Sequence, residues 1–354
     1  MSVSLLPRGT TFARYCASIA RCGGNIQKAA GDAGSRYGDN SAPAMILRGA
    51  VGAGSTRPDG SWGSALADFN LAAAEFFGLV RESSLLGRMS GLRRMPLGVQ
   101  VLRSTAGASA YWVASGKSKP VTRMSFARDA LPPLKIASLS VLTKELLFNA
   151  DPASERYILA DMVAAAREVQ DLAFVDPANS GVAEERPASV TNGATTIAAT
   201  GDPAADIAAL IAAFPGDLAS AYFVMHPTTA AGIGLSRDSG GSFQFADVGP
   251  RGGAILGIPV LTSRMVPIDS NGGIIALIDA SGIAFGEGGS EVRSSDQASI
   301  EMSDTPGGDS VTPTGSSMVS LYQTNSTALL IEFETNWDRV RPGSVALIEG
   351  AAYA

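Results

Sequence analysis

AYWVASGKSKPVTRMSF, residues 110–126, places two runs of strand character on either side of a turn-prone centre. Successive side chains of an extended chain point to opposite faces, so Thr122, Met124 and Phe126 share one face, and AYWV reads as a strand before the turn. Gly116 permits a turn and Pro120 stiffens one. Working outward, VQVL (99–102) and KIASLSVLT (135–143), with Leu139 and Val141, carry the same character. The spacing predicts a long β-excursion from Leu97 to Thr143. A thin arm of this kind cannot bury its own faces and requires something to lie on.

Charge marks the same region. Between Glu82 and Asp129 lie eight cations (Arg88, Arg93, Arg94, Arg103, Lys117, Lys119, Arg123 and Arg128) and no acid, whereas residues 129–354 hold eleven cations against twenty-seven acids. The whole chain, of 354 residues, carries a formal net charge of −6. Three readings of the basic run stay open: a solvated face, a nucleic-acid-binding arm over 83–128, or an arm that lies on the acidic body of a second copy. Aromatics for stacking on bases are sparse there, Tyr111 and Trp112 among them. Contacts of the third kind are heterologous and close rings or extend into larger assemblies.

The rest of the chain reads as a globular α+β protein. Its 354 residues are long enough for two domains, and no apolar run approaches the roughly 18 residues of a membrane span. The clearest helix begins at the cap Asp151 and Pro152 and stops at Asp176-Pro177, about 35 Å at 1.5 Å per residue. Ile158, Met162, Ala165, Val169 and Leu172 form its apolar stripe, expected to face the core, with Arg156, Arg167, Glu168 and Asp171 toward water. A second helix starts at Asp202-Pro203 and buries Ile207, Leu210, Ile211 and Phe214. AYFVM, GIPVLTS, IIALID, EVRSSDQASIEM, STALLIEFETNWDRV and SVALIEG read as strands. Before residue 60, Phe12, Cys16 and Ile19 recur at helical spacing, and the turn-rich GDAGSRYGDNSAPA (31–44) and VGAGSTRPDGSWGS (51–64) follow. A further helix is expected over 66–79.

No catalytic, cofactor or metal constellation emerges. His226 is the single histidine, and in VMHPTT it reads as a helix start; no G-x-S-x-G elbow exists. RGG (251–253), GEGG (286–289) and DSGG (238–241) lack the lysine and hydroxyl of a phosphate cradle and read as turns. Asp269-Ser270-Asn271-Gly272 reads as a hairpin turn, not a calcium loop. Cys16 and Cys22 match no zinc spacing and are expected to pack as small apolar groups.

Ordered landmarks give the chain a resemblance. GLRRMP (91–96), AYWVASGKSKP then TRMSF, VLTKELL leading into the long helix, YFVMHPTT, LGIPVLTSRMVP and RPGSVALIEG together resemble a tailed-bacteriophage major capsid protein of the Hong Kong 97 fold. The resemblance covers about residues 65–352. It implies an N-terminal extension (1–60), an N-arm (61–96), an extended loop (97–130), a peripheral domain with a spine helix (131–177) and an axial domain (178–289). Peripheral strands (290–342) and an axial return (343–354) complete it. By the same resemblance, Arg88, Arg93, Arg94, Arg103, Lys117, Lys119 and Arg123 belong to inter-subunit arm and loop contacts.

The function implied is structural and non-enzymatic. Copies assemble in the bacterial host cytoplasm as hexamers and pentamers of an icosahedral virion capsid around double-stranded DNA. Portal and scaffold or prohead protease are the implied assembly partners, with no sequence-specific DNA binding and no membrane. Some shells of this family lock covalently through an isopeptide bond, and by position Lys119 resembles the lysine, Asn325 the asparagine and Glu332 the assisting glutamate. Phe333 and Glu334 depart from the family pattern beside them. An encapsulin-type bacterial compartment shares the fold and is the nearest alternative; the long segment before Gly91 and the RR-x-P landmark favour phage.

Overall fold

The computed structural model describes residues 10–23, 25–48, 78–106, 111–115, 117–119, 121, 125–145, 152–303 and 318–353. Its helices are α1 (Thr10–Arg21), α2 (Ile26–Tyr37), α3 (Ala42–Leu47), α4 (Leu85–Arg88), α5 (Pro152–Val175), α6 (Pro203–Ala213) and α7 (Pro227–Leu235). The strands, in order, are β1 (Arg93–Arg94), β2 (Gln100–Ala106), β3 (Ser125–Ala130), β4 (Leu134–Thr143), β5 (Thr195–Ala198), β6 (Ala221–Met225), β7 (Val248–Gly249) and β8 (Gly252–Ile255). Then come β9 (Ile258–Thr262), β10 (Ile268–Asp269), β11 (Gly272–Asp279), β12 (Ile283–Ser295), β13 (Ser299–Glu301), β14 (Met318–Ser320), β15 (Ser326–Arg339) and β16 (Val345–Ala351). Helix and strand are mixed without βαβ alternation, as the sequence predicts.

The chain divides into two compact units: Met1–Gly87 with Ile136–Val169 and Ser290–Phe333, and Arg88–Lys135 with Gln170–Gly289 and Glu334–Ala354. In the second unit an eight-stranded sheet runs β5-β16-β11-β6-β9-β8-β7, with β10 on β11. The run IIALID supplies its buried middle: Ile275, Leu277 and Ile278 are wholly inaccessible, and β6 and β16 flank them antiparallel. A near-continuous apolar strand is what burial on both faces demands. Helix α6 contributes Ile207 and Leu210 to that core, joined by Phe214 just after it. Asp202 caps it by accepting from the Ala204 N–H, and Pro203 sits at its first turn.

Two buried carboxylates pin loops of this unit. Asp279 accepts from Ser220 Oγ (2.6 Å), Ser281 Oγ (2.8 Å) and the backbone N–H groups of Ser281 (2.9 Å) and Asp217 (3.3 Å). Burial pushes its pKa up, but these donors outweigh burial and hold it below the ordinary carboxylate value. Asp206 accepts from Thr200 and from the Tyr353 hydroxyl (2.8 Å), which ties residue 353 to the start of α6.

The first unit differs from the sequence reading near its start. GDAGSRYGDNSAPA is not a turn region: α2 and α3 occupy most of it. Asn25 caps α2 by accepting from the Lys28 N–H, and Gly38 (φ 96°) ends it. Ala29, Ala30 and Ala33 make the buried stripe, and Pro43 sits in the first turn of α3. The glycines at 31 and 34 lie inside a helix whose small face packs closely, and that context overrides their weak propensity. VGAGSTRPDGSWGS lies outside the described residues, as does the expected 66–79 helix up to residue 77; residues 78 and 79 are helical.

Two further corrections concern α5 and the arm. Among the described side chains of α5, Ala166, Gln170, Asp171, Phe174 and Val175 are buried, whereas Val169 is 55% and Leu172 43% exposed. Asp171, expected at the surface, is buried because Ser263 Oγ donates to it at 2.8 Å. Phe174 lies edge-on to Trp337, 5.5 Å between ring centroids. The side chain of Ile158 lies outside the described residues. In the arm, residues 111–114 form no strand, and 122–124 lie outside the described residues. GEGG is not a turn either: it lies inside β12, where a side chain at Gly286 would collide with Leu97 and one at Gly288 with Glu334.

These burials separate two substitutions on one helix. Val169→Asp leaves a folded chain with native circular dichroism, because the new carboxylate reaches water. Phe174→Ala costs about 3–5 kcal/mol in chemical denaturation. Loss of folded protein in Val169→Asp, or an unchanged midpoint in Phe174→Ala, contradicts this assignment.

Candidate assembly surfaces

The basic arm is built on a ribbon of two strands. β2 and β3 pair antiparallel from Gln100↔Ala130 to Ala106↔Ser125, with a register shift between Ser104 and Ala106, and they form a sheet of their own. Its root is fixed within the second unit. The Gly98 N–H donates to the Leu131 carbonyl (2.8 Å), Leu131 and Leu134 are buried, and Asn336 Nδ2 donates to the Pro132 carbonyl (2.7 Å). The described residues between the strands are open to water: Tyr111, Trp112, Val113, Lys117, Lys119 and Val121 are all exposed. The ribbon therefore has a firm base and a bare end.

The cations expected in inter-subunit contacts divide by position. Arg88 is engaged within its own chain, donating from Nη1 to the Thr262 carbonyl at 2.9 Å. Nearby, the Ser90 N–H donates to the Tyr222 hydroxyl at 3.0 Å. Arg93 and Arg94 form β1, which pairs parallel with β12 (Arg93↔Ala284, Arg94↔Phe285), and both side chains are exposed. Arg94 lies 3.7 Å from Glu287, an exposed contact of small energetic weight. The backbone pairing therefore fixes the positions of these two residues while their side chains stay exposed. Lys117 and Lys119 are exposed near the arm's end. Of Arg103 only the backbone, in β2, is described, and Arg123 lies outside the described residues.

A second surface lies in the first unit. Ile136, Met162, Ala165, Val169, Ile331 and Phe333 line a groove of about 110 Å³ between α5, β4 and β15. Val169 opens it to solvent. The apolar stripe that the sequence assigns to the core is thus partly a surface feature. A 3.6-residue period marks an apolar face, but not what covers it.

The three residues of the expected cross-link sit on different elements. Lys119 is on the arm. Asn325 ends the turn before β15 with φ 49°, its side chain exposed and its carbonyl accepting from the Lys144 N–H (2.9 Å). Glu332 is half-buried in β15. It contributes to the raised pKa of Arg293, after the larger influence of Glu291.

His226 performs the helix-start role. Its Nδ1 accepts from the Thr228 N–H (3.2 Å) and lies 2.6 Å from Thr228 Oγ1. Burial and the Arg264 charge lower its pKa. Among the described residues no group of three His, Cys, Asp or Glu could hold a metal ion. The Asp269–Gly272 segment is a tight turn between paired strands, and Cys16 is buried while Cys22 is partly exposed.

Comparisons with known proteins agree with this architecture. Residues 70–350 match the model of the phage capsid family. The chain is 35% identical, over 364 aligned positions covering 98% of its length, to the capsid polyprotein of Pseudomonas phage PAJU2, and it spans 54% of that protein. A solved structure from Microbacterium phage Oxtober96 matches with a TM-score of 0.53 at 18% identity, covering 73% of this chain and 89% of that one. One from Mycobacterium phage Ogopogo matches with a TM-score of 0.52 at 17% identity, covering 75% and 91%. At these identities the structural matches speak to the fold, which is that of the tailed-phage capsids. The chain belongs to the phage capsid family and is a structural capsid protein.

Proposed function

We propose that this chain is the major head protein of a tailed phage, assembling as hexamers and pentamers into an icosahedral shell around double-stranded DNA. The observation that carries this reading is the β2–β3 ribbon, anchored at its root and bare at its end. Residues 83–128, which hold most of the ribbon, carry eight cations and no acid, while residues 129–354 hold eleven cations against twenty-seven acids. In this reading the ribbon is the extended loop. Helix α5 with β12 and β15 makes the peripheral domain, and the eight-stranded sheet makes the axial domain. Assembly takes place in the bacterial cytoplasm with a portal and with a scaffold or prohead protease, and the product is the virion capsid. The DNA is enclosed without sequence-specific contact.

Electron micrographs of the purified chain test the reading directly: closed shells or ring-shaped capsomers are expected, and monomers under all assembly conditions oppose it. Arm-to-body attraction is screened over about 8 Å at physiological salt, so initial association weakens as salt rises. Reversing Arg93 and Arg94 to Glu abolishes assembly while circular dichroism stays native, since both side chains are exposed and only their backbone pairs with β12. Normal assembly of this double variant across a salt series removes electrostatic steering from the account.

Lys119, Asn325 and Glu332 are the residues through which neighbouring copies would be joined. The neutral Lys119 amine attacks the Asn325 side-chain carbonyl carbon and an N–C bond forms. Glu332 takes the amine proton and passes it to the Asn325 amide nitrogen, whose C–N bond breaks so that ammonia leaves. Mature shells boiled in detergent then give a covalent ladder on a denaturing gel, which Lys119→Arg or Asn325→Asp removes. A single monomer band from mature shells rejects the bond.

A further inference from the structure

Helices α1–α3 form a module with two separate apolar contacts. One is internal and joins Ile19, Ala29, Ala33, Ala44 and Leu47. The other sets Phe12, Cys16 and Ile46 against Val80, Ala166, Leu329 and Ile331 of the same unit. Phe12 is 1% exposed. Arg21, also buried, donates to Asp32 (3.0 Å) and to the Tyr37 hydroxyl (3.0 Å), which braces α1 against α2. A third contact lies at the turn after α1. Gly23, at φ 58°, packs so closely on the Asp296 carboxylate that any side chain there would collide with it. Lys144 Nζ holds that carboxylate in place at 2.9 Å.

We propose that residues 10–48 are a resident cap: the module stays docked on α5 and β15, and stays in the chain, when copies associate. A segment built to be shed would leave a face fit for water. Removing this one uncovers Val80, Ala166, Leu329 and Ile331 together, beside a groove that is already apolar. An enlarged apolar face of that kind promotes indiscriminate association. Docking is a property of the single chain, so the inference goes beyond the shell-forming role.

Cys16 reports on docking, because it lies in the buried contact and is one of only two cysteines. In the full-length Cys22→Ser chain, native Cys16 should react with a maleimide at least about 100-fold more slowly than in denaturant, before and after assembly, since reaction requires the module to open. Denaturing mass spectrometry of purified particles should find chains that retain residues 10–48. Gly23→Leu in the Cys22→Ser background should raise the native rate about 10-fold or more, with the far-ultraviolet circular dichroism unchanged. Equal Cys16 rates in native and denatured chains, or particles whose chains all begin beyond Arg48, overturn the proposal. If the Gly23→Leu chain does not fold, the thiol and mass readings on Cys22→Ser alone decide. Failure to form particles counts against the shell role, and the thiol rate of the single chain then decides docking.

Discussion

A ribbon of two β-strands cannot bury both of its faces, and that constraint organises the chain. β2 and β3 pair only with each other, belong to a run (83–128) with eight cations and no acid but for Asp129 at the end of β3, and lead to exposed Tyr111, Trp112 and Val121. Held as a single molecule, the ribbon keeps apolar area in water and a positive charge with few acids beside it. Both costs fall when it lies on an acidic, partly apolar surface, and residues 129–354 of another copy have that character. In the proposed assembly such a contact would be heterologous and would propagate from copy to copy.

Such an arm requires a rigid base, and the second unit supplies one. The central β11 is inaccessible along most of its length, and the buried Asp279 and Asp206 fasten loops around the sheet through several donors each. The segment leading to the ribbon is fixed by Arg88 on Thr262, Ser90 on Tyr222 and β1 on β12, before Gly98 and Leu131 close the root. The glycines of β12 let residues 95–97 approach. In the first unit the α1–α3 module covers part of the apolar face of α5 and β15, and the groove at Val169 stays open.

Much of this was legible in the sequence because local signals and tertiary packing agree. The caps and prolines at 202–203 and 226–227 start helices where expected, and IIALID is a strand buried on both faces. The family landmarks carried the fold class. The misreadings share a cause, which is that pattern shows a face but not its covering. Val169 and Leu172 are as apolar as core residues, yet α1 and the strands take the neighbouring face through Met162, Val163 and Ala166. Asp171 looks solvated until Ser263, 92 positions away, is seen to donate to it. Residues 31–44 look like loop because glycine and alanine are weak markers, although Asn25, Gly38 and Pro43 mark the helix ends. AYWV has strand composition, but residues 111–114 form no strand.

Hydrogen exchange at the backbone amides of 100–106 and 125–130 tests the dependence of the ribbon on a second copy most directly. In the dispersed chain these amides should exchange rapidly while those of β11 stay protected, and in assembled particles the ribbon should slow by about 100-fold or more. Equal protection of the ribbon in dispersed and assembled protein would contradict the account.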